Sequence, residues 1–235
     1  MAKKATHLNK AAVLADLKKL SDRLAKESKY ASDKDYALLQ LSWNHDILDR
    51  SLNYMPRESR KMMGIGAFMG TLEMALSPYF DEVIAVDFKS FLPKWKPKNV
   101  KFHKANIDTG DWELPALPSA RYDAVYLIET IEHLLWSPVP LLRWVQQNAH
   151  MAVISTPDDD EWPPMAIHPW TRYQHFKNIP SASPGAKSNP LPMFHSKQYK
   201  QAELVELLDF AGFRVNEFFR TGDGHHQMVA IVQPR

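Results

Sequence analysis

"RKMMGIGAFMGTLEMAL", residues 60–76, packs three of the chain's eight glycines, Gly64, Gly66 and Gly70, into seven positions between an apolar run and a helical one. Glycine this concentrated marks a backbone that turns sharply or approaches something closely. "KMMGI" before the turn reads as a buried strand and "TLEMALSPY" after it as a helix. What the turn approaches decides the function: a phosphate, a dinucleotide, or another ligand that needs room at a strand end.

Outward from this stretch, short apolar runs alternate with helical ones. "EVIAVD" (82–87), "NVKFHKAN" (99–106), "YDAVYLI" (122–128) and "HMAVIS" (150–155) read as strands. Ser137 and Pro138 start the helix "PLLRWVQQNA" with a capping hydroxyl and a first-turn proline. Ser196 starts a further helix with the stripe Leu204, Leu207, Leu208 and Ala211, which Gly212 stops. "FRVNEFFR" and "QMVAIVQPR" close the chain as strands joined by "TGDG", a turn too short for a parallel crossover. The expectation is an α/β fold: a Rossmann-like, mostly parallel seven-stranded sheet with an antiparallel last strand and helices on both faces.

Residues 8–55 read as two helices. Val13, Leu17, Leu20 and Leu24 share one face of the first; Leu38, Leu41, His45, Leu48 and Leu52 share one face of the second. Residues 1–58 are therefore a helical N-terminal extension, a surface for substrate or partner, and 59–235 the main domain. Within it, 157–195 is an insertion: residues 157–192 carry eight of the seventeen prolines with aromatics interleaved, the composition of a packed lid.

Composition narrows the classes. The chain has 235 residues, 45% hydrophobic and 24% charged, enough for a substantial core. There is no cysteine, which excludes disulfides and thiolate metal sites. A net charge of +2 is too small to argue for nucleic acid, although the basic N-terminal segment leaves it open as a partner. No long apolar run follows "MAKKATHLNK", so neither a leader nor a membrane anchor is expected and the cytoplasm is the default.

Three ligands compete for the glycine turn. A mononucleotide phosphate loop needs a lysine and a hydroxyl after its last glycine, and Thr71–Leu72 follows Gly70 with no lysine near. A dinucleotide loop wants its third glycine three residues after its second; here Gly66 and Gly70 are four apart, with Phe68 and Met69 between them. The third asks only for space beside the first strand.

On that third ligand, "MMGIGAFMG" (62–70) resembles the first motif of the class I S-adenosylmethionine-dependent methyltransferases, apolar–apolar–acid–apolar–Gly–x–Gly–x–Gly. Gly66 and Gly70 match its first and last glycines; Gly64 stands at the acid and Phe68 at the middle glycine. Asp87, seventeen residues after Gly70, stands where the family places an acid on the ribose hydroxyls. "HKANID" stands where the adenine is read, with Asn106 at the common acidic position. "RYDAVYLIETIEHL" (121–134) resembles the fourth-strand motif, with the Glu-x-x-Glu-His ending of several O-methyltransferase branches. The resemblance implies S-adenosylmethionine as cofactor, held by Gly64, Gly66, Ala67, Phe68, Gly70, Asp87, Phe88, Asn106, Ile107 and Glu129. It implies His133 as base, since histidine titrates near neutrality, with Glu132 and His195 beside it. Some relatives hold a divalent cation, magnesium or manganese, on such a group, which here would be Glu129, Glu132, His133 and His195. Trp170, Arg172 and Tyr173 of the lid are the expected substrate contacts. The implied activity is methyl transfer to oxygen or nitrogen of a small molecule or a nucleotide or RNA end. The alternative is a catalytically degenerate binding or scaffold protein with the same fold.

Overall fold

The computed structural model describes residues 9–27, 31–56, 60–107, 112–117, 120–134, 136–158, 197, 199–221 and 227–235. Its seven strands are β1 (Lys61–Ile65), β2 (Glu82–Asp87), β3 (Val100–Lys104), β4 (Ala124–Leu127), β5 (Ala152–Pro157), β6 (Phe213–Arg220) and β7 (Gln227–Pro234). They form one sheet in the order β3-β2-β1-β4-β5-β7-β6. β1 to β5 pair in parallel, and β7 runs antiparallel to both β5 and β6. The expected mostly parallel sheet with an antiparallel last strand is what forms. The parallel register sets Gly64 level with Ala85 and Tyr126, so the carboxyl ends of β1, β2 and β4 lie side by side. In open α/β sheets this is the edge where ligands bind.

The pleat divides the core between the two faces. Met63, Ile65, Ile84, Val86, Val125 and Leu127 pack on one face with α4 (Val139–Asn148) and α5 (Gln201–Phe210). Met62, Val83, Ala85, Ala124 and Tyr126 pack on the other with α1 (Lys10–Glu27), α2 (Ala31–Ser51) and α3 (Thr71–Leu76). Such continuous apolar strands, buried on both sides, are what a covered parallel sheet demands. Val13, Leu17 and Leu24 of α1 are buried as their spacing predicts. Its outer face carries Lys18–Asp22 and Arg23–Glu27 pairs one turn apart.

Two sequence expectations are corrected here. His45 is exposed; the buried side of α2 is Trp43, Asn44, Ile47, Leu48 and Ser51. That face is set where α2 meets the sheet, with Ser51 Oγ and Tyr126 Oη 3.1 Å apart in a buried hydrogen bond. Leu38 lies outside the residues whose side chains are described. The last helix begins at Gln201, with Lys200 as its extended N-cap residue. Tyr199 just before it pairs with Asp158 across a parallel bridge, which keeps this segment extended. Ser196 lies outside the described residues. Gly212, at φ 94°, closes the helix as expected. Among the described residues no helix is long and apolar enough to cross a membrane.

Candidate functional site

The turn after β1 is left-handed at Gly66 (φ 74°), Phe68 (φ 45°) and Gly70 (φ 69°). Two glycines adopt this without penalty; Phe68 does so against its Cβ and needs support. Asp87, at the end of β2, supplies it. Its Oδ2 accepts the Phe68 N–H at 3.0 Å, and its Oδ1 accepts the Phe88 N–H at 2.7 Å. The Gly66 and Ala67 N–H groups both donate to the Val86 carbonyl, at 2.9 and 3.0 Å. The loop is thus hung on the last two residues of β2. Burial raises the Asp87 pKa, and the backbone donors oppose that shift.

The three glycines are needed for a reason that the sequence did not reveal. A Cβ on Gly64 would lie 1.6 Å from Oε1 of Glu73, one on Gly66 2.4 Å from Oγ1 of Thr130, and one on Gly70 2.3 Å from Cδ2 of Leu92. What the loop approaches at these positions is its own protein. Glu73, Thr130 and Leu92 are the residues that sequence reasoning missed. The one available sign was an acid in the otherwise apolar turn "TLEMAL", where Glu73 is 4% exposed.

Around the Asp87 end, Phe68 and Phe88 both meet Phe91, with ring centroids 4.9 and 5.7 Å away. The Ala105 N–H donates to the Asp87 carbonyl at 3.0 Å, bringing the exit of β3 alongside. Asn106 there is exposed, and Ile107 packs against the core.

A second group lies at the ends of β4 and β5. Glu129 has φ 50°; its N–H donates to Ser155 Oγ at 3.0 Å, and that hydroxyl donates back to Glu129 Oε1 at 3.0 Å. Glu132 is wholly buried in the short helical turn Ile131–His133. The Glu129 and Glu132 carboxyls are close neighbours there, each raising the cost of a second negative charge. Burial raises the pKa of Glu129 to about 8, and burial plus the neighbouring Glu129 raises that of Glu132 well above the ordinary carboxyl range. His133 is partly exposed, with Nε2 3.8 Å from Glu132 Oε1.

The structure therefore joins Gly64, Gly66, Ala67, Phe68, Gly70, Asp87 and Phe88 at one end of the sheet edge, and Glu129, Glu132 and His133 at another. His195, Trp170, Arg172 and Tyr173 lie outside the described residues. Among the described residues no three His, Asp or Glu side chains are gathered to hold a metal ion. Of the expected cation group, Glu129, Glu132 and His133 do not gather as ligands around one point among the described residues.

No family model matches the chain, and no curated protein does. Solved structures do. One is magnesium protoporphyrin IX methyltransferase from Synechocystis with bound SAH, 12% identical over 96% of this chain and 98% of that one, with a TM-score of 0.56. A second is human N-acetylserotonin methyltransferase in complex with SAM, 14% identical over 96% of this chain and 56% of that one, at 0.54. A third is an S-adenosylmethionine-dependent methyltransferase from Clostridium acetobutylicum, 8% identical over 82% and 91%, at 0.52. At such identities the likeness is one of fold: the chain has the fold of the S-adenosylmethionine-dependent methyltransferases.

Proposed function

We propose that this chain is an S-adenosylmethionine-dependent methyltransferase, acting on oxygen or nitrogen of a small molecule or a nucleotide end. The observation that carries the reading is Asp87. Its carboxylate stands at the end of β2, oriented by the Phe68, Phe88 and Lys89 N–H groups, and a carboxylate there suits the vicinal hydroxyls of a ribose. The residues present fit a nucleoside there. Gly66, Ala67 and Phe68 border the same strand end, Phe88 with Phe91 offers ring surface for a base, and Asn106 offers an amide for its edge.

When bound, the cofactor supplies a methyl group on a sulfonium centre. The chain's own tasks are then to align the acceptor and take its proton. In this reading His133, partly exposed at the end of β4, is the base. Glu132, wholly buried with Oε1 3.8 Å from His133 Nε2, belongs to the same group and would orient that ring.

Calorimetry with S-adenosylmethionine tests the reading. The wild type is expected to bind, and Asp87→Ala to bind at least about tenfold more weakly, the loss of a charge-assisted hydrogen bond. Undiminished affinity in the variant would overturn it. A second reading, a non-catalytic scaffold, is favoured by one observation: Thr130 and Leu92 fill the space over Gly66 and Gly70. It predicts no binding heat with folded wild-type protein at high micromolar cofactor.

A further inference from the structure

The end of β1 has glycine where the resemblance expects an acid, yet a carboxylate is present there. A Cβ on Gly64 would lie 1.6 Å from Oε1 of Glu73 and 2.6 Å from its carboxyl carbon. Glu73 belongs to α3 and crosses back onto the strand, so its carboxylate fills the volume that a short acidic side chain on β1 would reach. Its Oε2 lies 3.8 Å from where a Gly70 Cβ would be, so the group is lodged between the strand end and the glycine turn. The side chain accepts a hydrogen bond from its own N–H. No ion pair is formed with it among the described residues, and Glu73 is 4% exposed.

The titratable groups around it make matters worse for a bare negative charge. Asp87 from β2 repels it, and Tyr126 from β4 is a further ionisable neighbour among the described residues. α1 and α2 add the buried apolar residues Val13, Leu17, Ile47 and Leu48 to the same cluster. A buried carboxylate in this setting must either keep its proton or receive a cation. Burial, with Asp87 adding, brings its pKa to about 7, so the balance between the two is close.

We propose that Glu73 is the cation-receiving carboxylate of the ligand site: carried by α3 onto Gly64, it takes the ammonium group of a bound nucleoside that carries an amino-acid arm on its 5′ sulfur. The proposal rests on the reading of the site given above and assigns one part of it to a residue that no motif marks. It also explains why residue 64 is glycine, since any side chain there would displace the carboxylate. Ligand uptake then expels a proton from Glu73, because the incoming ammonium favours the ionised form.

The test compares two ligands. S-adenosylhomocysteine carries the ammonium group; 5′-methylthioadenosine has the same nucleoside and a thioether without the amino-acid end. Wild-type protein is expected to bind both. Glu73→Gln, nearly isosteric and uncharged, is expected to lose at least tenfold in affinity for the first and to stay within twofold for the second. Calorimetry near pH 7 in buffers of different ionisation enthalpy is expected to register proton release with S-adenosylhomocysteine in the wild type and none in the variant. Equal affinity of Glu73→Gln for S-adenosylhomocysteine overturns the proposal, as does an equal loss for both ligands. Should Glu73→Gln not fold, the decision passes to Gly64→Asp combined with Glu73→Ala. It is expected to bind S-adenosylhomocysteine more tightly than Glu73→Ala alone, and no gain overturns the proposal. A folded wild type that binds neither ligand overturns the underlying reading of the site, and the proposal with it.

Discussion

The Thr130 hydroxyl donates to the Ile65 carbonyl at 3.0 Å, through the space that a side chain on Gly66 would occupy. Thr130 follows β4 and Ile65 ends β1, so this one bond ties together the exits of the two central strands. It is 5% exposed and also lies 3.1 Å from the Ile128 carbonyl, which fixes its rotamer. The conformation of the glycine turn and the exit of β4 are therefore set by one another.

Gly66→Ala should break this arrangement. Alanine at φ 74° costs about 1–2 kcal/mol. Its Cβ, 2.4 Å from Thr130 Oγ1, also forces off a short branched side chain and strips the Ile65 carbonyl of its donor, for about 1–3 kcal/mol more. Urea unfolding should show a loss on the order of 3 kcal/mol by the same sum. The double variant Gly66→Ala, Thr130→Ala should lose less than the sum of the two single ones, because the clash is absent from it.

Stability should fall as pH rises from weakly acid to weakly alkaline. Glu73 and Glu129 have folded pKa values raised from 4.5 to about 7 and about 8, chiefly by burial. Between the unfolded value and these folded values the native chain binds more protons than the unfolded one. Their contribution is thus most favourable below pH 4.5 and declines up to about pH 8, by at most about 1.4 kcal/mol per pH unit per group. Urea unfolding near pH 5.5 and near pH 8.5 measures the difference. Glu73→Gln and Glu129→Gln should each flatten it; an unchanged slope in both would mean that other groups govern it.

Most of the fold was legible because its strands are continuous apolar runs bounded by polar or turn residues: β2 and β6 coincide with "EVIAVD" and "FRVNEFFR". The misreadings share one cause, contacts between residues far apart in the chain. Leu41, His45, Leu48 and Leu52 have helical spacing, but Trp43 and Ile47 compete for the same helix, and docking on the sheet turns their face inward. Ser196 has the chemistry of a helix start, yet the bridge from Tyr199 to Asp158 delays the helix. In the site, Asp87 was legible from its place at the end of an apolar run. Glu73 was not, since nothing local relates a helical acid to a glycine nine residues before it. The Glu129–Glu132 spacing was visible, but their raised pKa values depend on burial, and Glu129 is held by Ser155 from another strand.

The packing of α1 against the sheet should be measurable as stability of the whole chain. Leu17 is fully buried in the cluster that also holds Leu72, Met74 and Val83. Leu17→Ala should cost about 2–5 kcal/mol. Limited proteolysis should then cut the variant within residues 10–27 before the sheet is lost. Stability within about 0.5 kcal/mol of wild type would mean that this helix contributes little to the core.

Ser155→Ala should act on Glu129 in two opposed ways that a titration separates from a simple packing defect. The hydroxyl accepts the Glu129 N–H and donates to Glu129 Oε1, so removing it leaves a backbone donor and a carboxylate oxygen without their partner, a cost of about 1–3 kcal/mol. The same hydroxyl holds the Glu129 pKa below where burial alone would put it. Without it, the carboxyl should keep its proton to higher pH. The native state then gains protons relative to wild type above about pH 8, and the decline of stability with pH should extend further into the alkaline range. Carboxyl carbon chemical shifts, followed by NMR from pH 5 to 10, read the midpoint directly. An upward move accompanied by lower stability is the expected pair of results. Lower stability with an unmoved midpoint would mean that Ser155 holds the end of β5 and does not tune the carboxyl beside it.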